Sequence, residues 1–378
     1  MSPDDTTQDP QAATAATAAT AATAATGPTA GGTTPAAQAE RRRLLSGLGR
    51  AGAALMGATA LGSLGACALA PQPAPPLREA RRLPEGAPVG RLLVIGGGED
   101  RIDDRDILRR FLELSGGPRA RVRFITSATN DPKGAELAYG TAMTQLGAQD
   151  VQFLHMAETA DASKPDVLAE LRQADGVFIT GGDQARLMNK LWSTPAMQAL
   201  HAAVRERGIC LAGTSAGAAA MSRAMIAQGP AVIVPQKDVV SLDLGLNFLP
   251  QAMVDQHFSQ RRRLSRLLSA LALRPDLLGI GVDEDTALLV EIGRSVEVIG
   301  RSSVTIVDGT EMQSNLRQVQ PRDRLELVGV NLHVLPTGQR YRHPWALRGD
   351  LQAAGAEPPA ALRSVVARLL EPPPILLV

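Results

Sequence analysis

Aromatic side chains are scarce, at 3% of the 378 residues: six phenylalanines, two tyrosines and two tryptophans. A core with so little aromatic area has to be filled by Ala, Val, Leu and Ile, which suits parallel strands covered by helices on both faces. Cysteine is scarcer still, with only Cys67 and Cys210. There is no Cys-x-x-Cys pair and no His-Glu-x-x-His pattern, and the five histidines are scattered at 155, 201, 257, 333 and 343. No zinc site, and no cofactor of any other kind, is expected from such a set. A charge excess is also missing, since 39 basic and 38 acidic residues leave a formal net charge of +1. That balance gives no long-range field for nucleic acid, which is excluded as a partner. Nucleotide-binding loops fail on inspection. Arg101 stands where Gly96-x-Gly98 would need a third glycine, and no Gly-x-x-x-x-Gly-Lys-Ser/Thr occurs.

What is present begins with low complexity. From Ala12 to Thr26 the triplet Ala-Ala-Thr repeats five times, and Gly, Pro and Thr dominate from there to Pro35. Such a stretch has too few large apolar groups to offset chain entropy, so residues 1–66 are expected to hold no folded domain. Arg41-Arg42-Arg43-Leu44-Leu45 follows, and after Arg50 comes an uncharged apolar run of 16 residues, Ala51 to Ala66. The run is short of the ~20 residues that span a bilayer as a helix. A basic stretch, a short apolar run and small residues together form the layout of a secretory signal. The arginines and following leucines resemble a twin-arginine export signal, and Leu64-Gly65-Ala66-Cys67 resembles a bacterial lipobox. Export is therefore expected, to the periplasm or outside the cell, with Cys67 a candidate for lipidation and the only route to a membrane. Residues 67–88, with four prolines between Pro71 and Pro76, read as a stiff spacer.

From residue 89 the texture changes. Short apolar strands (Leu92–Ile95, Val122–Thr126, Val151–Leu154, Gly176–Thr180, Ile209–Ala212) alternate with helical patterns over 103–115, 135–146, 166–172, 185–192 and 195–207. This alternation predicts crossover connections and a parallel sheet. Beyond residue 285 the pattern becomes short strands, Thr286–Glu291, Val296–Ile299 and Val304–Val307, expected to extend the sheet edge in antiparallel fashion. One folded α/β unit is expected over 89–340. The segment 341–378, Pro- and Ala-rich with one Arg-bearing helix, is left as an extension without a placed role.

Four segments carry chemistry. Gly213-Thr214-Ser215-Ala216-Gly217 fits Gly-x-Ser-x-Gly where a strand should meet a helix, a turn that lifts a serine Oγ above the strand ends. Gly181-Gly182-Asp183-Gln184 follows a strand and opens on the same sheet edge, where its backbone could approach a ligand. Asp255-Gln256-His257-Phe258 offers the base a nucleophilic serine needs. The arginines that follow at 261, 262, 263 and 266 offer forks for carboxylates; continued as a helix, Arg262, Arg263 and Arg266 would share a face. Gly281-Val282-Asp283-Glu284-Asp285-Thr286 supplies three acids, any one of which could orient an imidazole. Spacing does not choose among them.

Together these motifs, with Gly-Gly-Gly-Glu-Asp at 96–100, resemble cyanophycinase, in the serine peptidase group that also holds the α-aspartyl dipeptidases. The resemblance covers roughly residues 90–335. It implies an α/β, flavodoxin-like fold akin to class I glutamine amidotransferases, a parallel sheet with helices on both faces. It also implies Ser215 as nucleophile, His257 as base and Glu284 as the orienting acid. The backbone N–H groups of Asp183 and Ala216 would form the oxyanion hole, and Gln184, Asp255, Gln256, Arg261, Arg263 and Arg266 match substrate-pocket positions. The family pocket has a lysine shortly after Gly-Gly-Asp-Gln, whereas here Met188 and Asn189 precede Lys190. The implied substrate is cyanophycin, or aspartyl-arginine peptides. A related dipeptidase, or a binding lipoprotein on the same fold, is the alternative. Oligomeric state is not fixed by the sequence, and a homodimer is compatible with it.

Overall fold

Continuous burial along the first strand sets up the architecture. In β1 (Arg91–Ile95), Leu92 and Val94 enter one apolar core while Leu93 and Ile95 enter another, so both faces of the sheet are covered. The computed structural model describes residues 89–344 and 355–374. The export segment, Cys67 and the proline spacer lie outside these described residues.

Next to β1 stand β2 (Arg121–Ile125), β3 (Asp150–Leu154), β4 (Gly176–Ile179) and β5 (Cys210–Thr214), all parallel, in the order β1-β5-β4-β2-β3. The connecting helices are α1 (Asp106–Leu114), α2 (Pro132–Gln145), α3 (Pro165–Gln173), α4 (Gln184–Leu191) and α5 (Pro195–Ala202). Their starts are written in the sequence. Asp131, Asp183 and Thr194 cap α2, α4 and α5 by accepting a first-turn N–H, and α2, α3 and α5 open on proline. The last helical pattern runs shorter than expected, because α5 gives way to a π-turn over Ala203–Arg207 that Gly208 closes at φ 68°. The few aromatics concentrate on one face of the sheet. There Phe111 and Phe124 flank Phe178 at centroid distances of 5.4 and 5.0 Å, and each buried ring contributes about 1.5–3 kcal/mol of transfer free energy.

After β5 come α6 (Ala216–Ala220), a hairpin of β6 (Ala224–Gln228) and β7 (Ser241–Leu244), then β8 (Ala252–Gln256), α7 (Leu264–Leu273) and β9 (Leu278–Val282). Strands β10 (Thr286–Glu291) and β11 (Ser295–Gly300) return to the large sheet beside β1 and run antiparallel, as expected. The strand expected over Val304–Val307 departs from that scheme. As β12 (Ser303–Asp308) it pairs with β9 in a second sheet, ordered β15-β12-β9-β8, with β15 spanning Asn331–Pro336 and β8 parallel to β9. A small hairpin, β13 (Gln313–Ser314) with β14 (Leu327–Val328), precedes β15. Leu278, Ile280, Val282, Val304 and Ile306 of the second sheet share the core that takes in Leu92 and Val94. The two sheets thus face one another across apolar side chains, and burial of that face is what draws β12 away from the edge.

The C-terminal segment is part of this body. β16 (Arg340–Arg342) adds to β11, and α8 (Arg363–Leu369) buries Val365, Val366 and Leu369 in the same core, with Gly293 N–H donating to Leu370 O. The arrangement is an α/β, flavodoxin-like fold whose parallel sheet is extended by antiparallel strands.

Candidate active site

The carboxyl ends of β1, β4 and β5 in the large sheet meet those of β8 and β9 in the second, and the motifs singled out above lie at these ends. At the turn from β5 into α6, Ser215 holds φ 52° and ψ −112°, a costly conformation for a side chain that persists only where its surroundings impose it. The small residues around it are a packing requirement. A Cβ at Gly217 would come within 2.3 Å of Ile179 O, so only glycine lets α6 sit against the end of β4. His257, just past β8, is also left-handed at φ 48°.

The loop after β1 holds these pieces together. Its successive carbonyls accept from three segments: Ile95 O from Ser215 N–H (3.0 Å), Gly96 O from His257 N–H (2.7 Å) and Gly97 O from Asp285 N–H (2.9 Å). Gly97 lies against the imidazole, where a Cβ would fall 2.3 Å from His257 Cε1.

Ser215 Oγ lies 2.9 Å from His257 Nε2, and His257 Nδ1 lies 2.6 Å from Glu284 Oε1. A carboxylate can only accept, so the proton sits on Nδ1 and Nε2 is left as acceptor for the serine hydroxyl. Burial lowers the His257 pKa, with Arg261 and Arg263 adding to that effect and Glu284 opposing it. The three acids left open by spacing are separated here by their partners. Asp283 accepts from Ser259 N–H (3.0 Å) and the Ser302 hydroxyl (2.7 Å), and Asp285 accepts from Asp100 N–H (2.9 Å) and pairs with Arg301 (3.0 Å). Glu284 alone of the three faces the imidazole, its own N–H held by Gln260 Oε1 at 3.0 Å.

Other expected residues are placed differently. Ala216 is the first residue of α6, directly after Ser215, so its N–H has no intrahelical acceptor. The Asp183 N–H, expected beside it at the oxyanion hole, instead donates to Ala128 O at 3.0 Å, while the Asp183 carboxylate caps α4. That removes it as a donor in this arrangement. Gly181 is the residue of this loop that comes up to the nucleophile, and a Cβ there would lie 3.2 Å from Ser215 Cβ. Gln184 gives its amide to Ile226 O and Ala227 O, both at 2.9 Å.

The arginine run does not start as a helix. Residues 258–262 form a turn, Arg262 holds φ 52°, and α7 begins at Leu264. Arg263 and Arg266 are turned inward onto Asp255, which is 1% exposed. Arg266 Nε donates to it at 2.9 Å, Arg263 reaches it at 3.3 Å, and Arg263 also meets Gln256 Oε1 at 2.9 Å. Burial brings the Arg263 pKa down to about 10. Arg261 donates its backbone N–H to His257 O at 3.0 Å, while its exposed side chain makes no hydrogen bond or ion pair among the described residues. Lys190, near the position of the family lysine, donates to Ser127 O at 3.0 Å, and Met188 is buried.

Beside Ser215 opens a cavity of about 340 Å³ whose walls include Glu99, Arg101, Asp131 and Tyr139. Of these, Glu99 lies inside the Gly-Gly-Gly-Glu-Asp motif without an assigned role and Arg101 serves only to exclude a dinucleotide loop, while Asp131 and Tyr139 carry no sequence signal of a site. Glu99 accepts hydrogen bonds from Tyr139 Oη and, at 2.5 Å, from Thr214 Oγ1, next to the nucleophile. Burial, with the Glu99 carboxylate beside it, holds the Tyr139 phenol protonated well above its usual range.

Comparison with known proteins gives a consistent set of matches. A model of peptidase family S51 matches residues 92–299. Cyanophycinases of Trichormus variabilis and Geminocystis herdmanii are 41% and 39% identical over 251 residues, 66% of this chain and 84% and 92% of theirs. The crystal structure of a peptidase from an acI-B1 actinobacterium, 21% identical, matches with a TM-score of 0.51 over 68% of this chain and 98% of its own, a likeness of fold.

Proposed function

This chain belongs to peptidase family S51 and is a serine-type peptidase, and from that membership we propose that it hydrolyses cyanophycin, multi-L-arginyl-poly-L-aspartate, into β-aspartyl-arginine dipeptides. The observation that carries the reading is the continuous relay from Ser215 Oγ through His257 to Glu284, at 2.9 and 2.6 Å. Ser215 Oγ attacks the scissile carbonyl carbon as its proton passes to His257 Nε2. The charge that develops on the carbonyl oxygen is met by the Ala216 N–H. Collapse of the tetrahedral species expels the amine, which takes the proton from His257, and leaves an ester on Ser215. Water, deprotonated by the same imidazole, then releases the acid. Glu284 holds the neutral imidazole in the tautomer that accepts at Nε2 and stabilises the imidazolium formed when it has accepted.

The same proposal places the enzyme outside the cytoplasm, because a polymer too large to import has to be cut outside. It is supported by Arg41–Leu45, the apolar run to Ala66 and the lipobox-like Leu64–Cys67. Feeding cells a labelled fatty acid should mark the wild type and leave Cys67→Ser unmarked. A full-length chain found only in the cytoplasm would defeat the export reading and leave the chemistry intact.

Insoluble cyanophycin, followed by turbidity with mass spectrometry of the soluble products, tests the activity. The wild type should clear the suspension and release aspartyl-arginine, and Ser215→Ala should do neither. Clearing by Ser215→Ala would move the nucleophile elsewhere. Cleavage of small aspartyl peptides with the polymer untouched would assign the chain to the dipeptidase side of the group.

A further inference from the structure

Resting on the reading that each substrate unit bears an arginine, we infer that the cavity beside Ser215 is the arginine subsite, with Glu99 and Asp131 receiving the guanidinium. Glu99 is 4% exposed, yet both of its hydrogen-bond donors are neutral hydroxyls. No lysine, arginine or histidine nitrogen among the described residues forms an ion pair with it. A buried carboxylate without a cation is costly, and such a group is retained where something brings the missing charge. A guanidinium entering the cavity does so. It offers planar N–H pairs, and among the described residues each carboxylate oxygen of Glu99 has accepted only once.

The cavity is built for more than one charge. Asp131 spends Oδ1 on the Gly134 N–H at 2.9 Å, and its Oδ2 takes no hydrogen bond among the described residues. Gly134 is what makes room for that oxygen, since a Cβ there would fall 2.1 Å from Oδ2. On the other side, the exposed Arg101 sits over the Tyr139 ring, 5.3 Å from its centroid. An arginine joined to aspartate through its α-amine still carries a free α-carboxylate as well as its guanidinium. The cavity answers that pair with acids for the guanidinium and Arg101 for the carboxylate. The inward-turned Arg263 and Arg266 cannot supply either contact, because Asp255 occupies them.

The test reads binding, so it does not depend on turnover. Ser215→Ala protein is titrated calorimetrically with β-aspartyl-arginine and with β-aspartyl-citrulline, in which a neutral urea replaces the guanidinium. The arginine form should bind about 10–100-fold more tightly, the range for hydrogen bonds to charged groups. Adding Glu99→Gln should bring the two affinities close to parity. Asp131→Asn keeps a capping side chain on α2 and should narrow the ratio several-fold. If Glu99→Gln fails to fold, Asp131→Asn decides alone. An unchanged ratio in the folded variants, or no preference for arginine in the parent, overturns the inference. A protein that shows the preference and its loss, but clears no polymer, would keep the subsite and retire the cyanophycin reading.

Discussion

Asp255 is the residue on which substrate binding and structural support can be separated by measurement. By resemblance it belongs to the substrate pocket; in the structure it is 1% exposed and carries the ion pairs of Arg263 and Arg266, themselves buried. Asp255→Ala therefore leaves two guanidinium groups inside the protein without their carboxylate. Removing one partner of a buried pair costs about 3–5 kcal/mol, because the remaining charge stays desolvated. For a domain of this size, where 1 kcal/mol moves Tm by roughly 2–4 °C, the melting point should fall by about 6–20 °C. Activity measured well below that melting point should lose kcat more than it raises KM, since Gln256 and His257 follow directly and the imidazole is what shifts. Combining Asp255→Leu with Arg263→Met and Arg266→Met should restore much of the stability, as apolar replacement of a whole buried network often does. Thermal denaturation and steady-state kinetics decide the matter. An Asp255→Ala variant that melts within a degree or two of wild type while KM rises tenfold or more would make Asp255 a substrate contact and refute the reasoning.

Acid should unfold the protein partly through His201, whose imidazole stacks on Phe248 at 4.1 Å and whose pKa burial brings down from 6.5 to about 4. Because the folded value is the lower one, this contribution is present above pH 6.5 and is lost as pH falls to 4. It amounts to about 3 kcal/mol, and urea titrations of wild type and His201→Gln at pH 7.5 and 4.5 should show the variant losing less. Glu284→Gln should reduce turnover by about 10⁴, the scale for losing an orienting acid, while Asp285→Asn stays far closer to wild type. Asp283→Asn should act on stability first, and equal kinetic losses across the three acids would misplace the role. The kcat/KM profile should rise through an apparent pKa below 6.5, the direction in which burial moves His257; a limb above 7 would contradict it.

Much of the large sheet was legible because its signals are local. Short aliphatic runs, proline and Asp or Thr at helix starts, and glycine-rich turns after strands each act within a few residues. The nucleophile turn was legible for the same reason. The second sheet was not, because Val304–Val307 is equally apolar whether it lies beside β11 or opposite it; the distinction is made by Leu278, Ile280 and Val282, remote in sequence from β1. The arginine run misled in a similar way. Charged side chains in a row signal a solvated face, and nothing local says that Asp255 will lie buried within reach of two of them. The same lack of local signal hid the cavity, whose acids come from two separate loops, and the place of α8, which is set by the core it covers.

The loop after β1 has a bearing on how this site can change over evolutionary time. Its three carbonyls grip the nucleophile, base and acid segments by main-chain N–H groups, so the grip is indifferent to the side chains at 95–97 except where space runs out at Gly97. Spelling can drift there; counting cannot. One residue inserted or deleted between Ile95 and Gly97 would put the serine and acid segments out of step with each other, a fault no single substitution elsewhere could repair. Length variation among homologous chains should accordingly fall in the surface connections, and the span from β1 to Gly97 should keep its residue count.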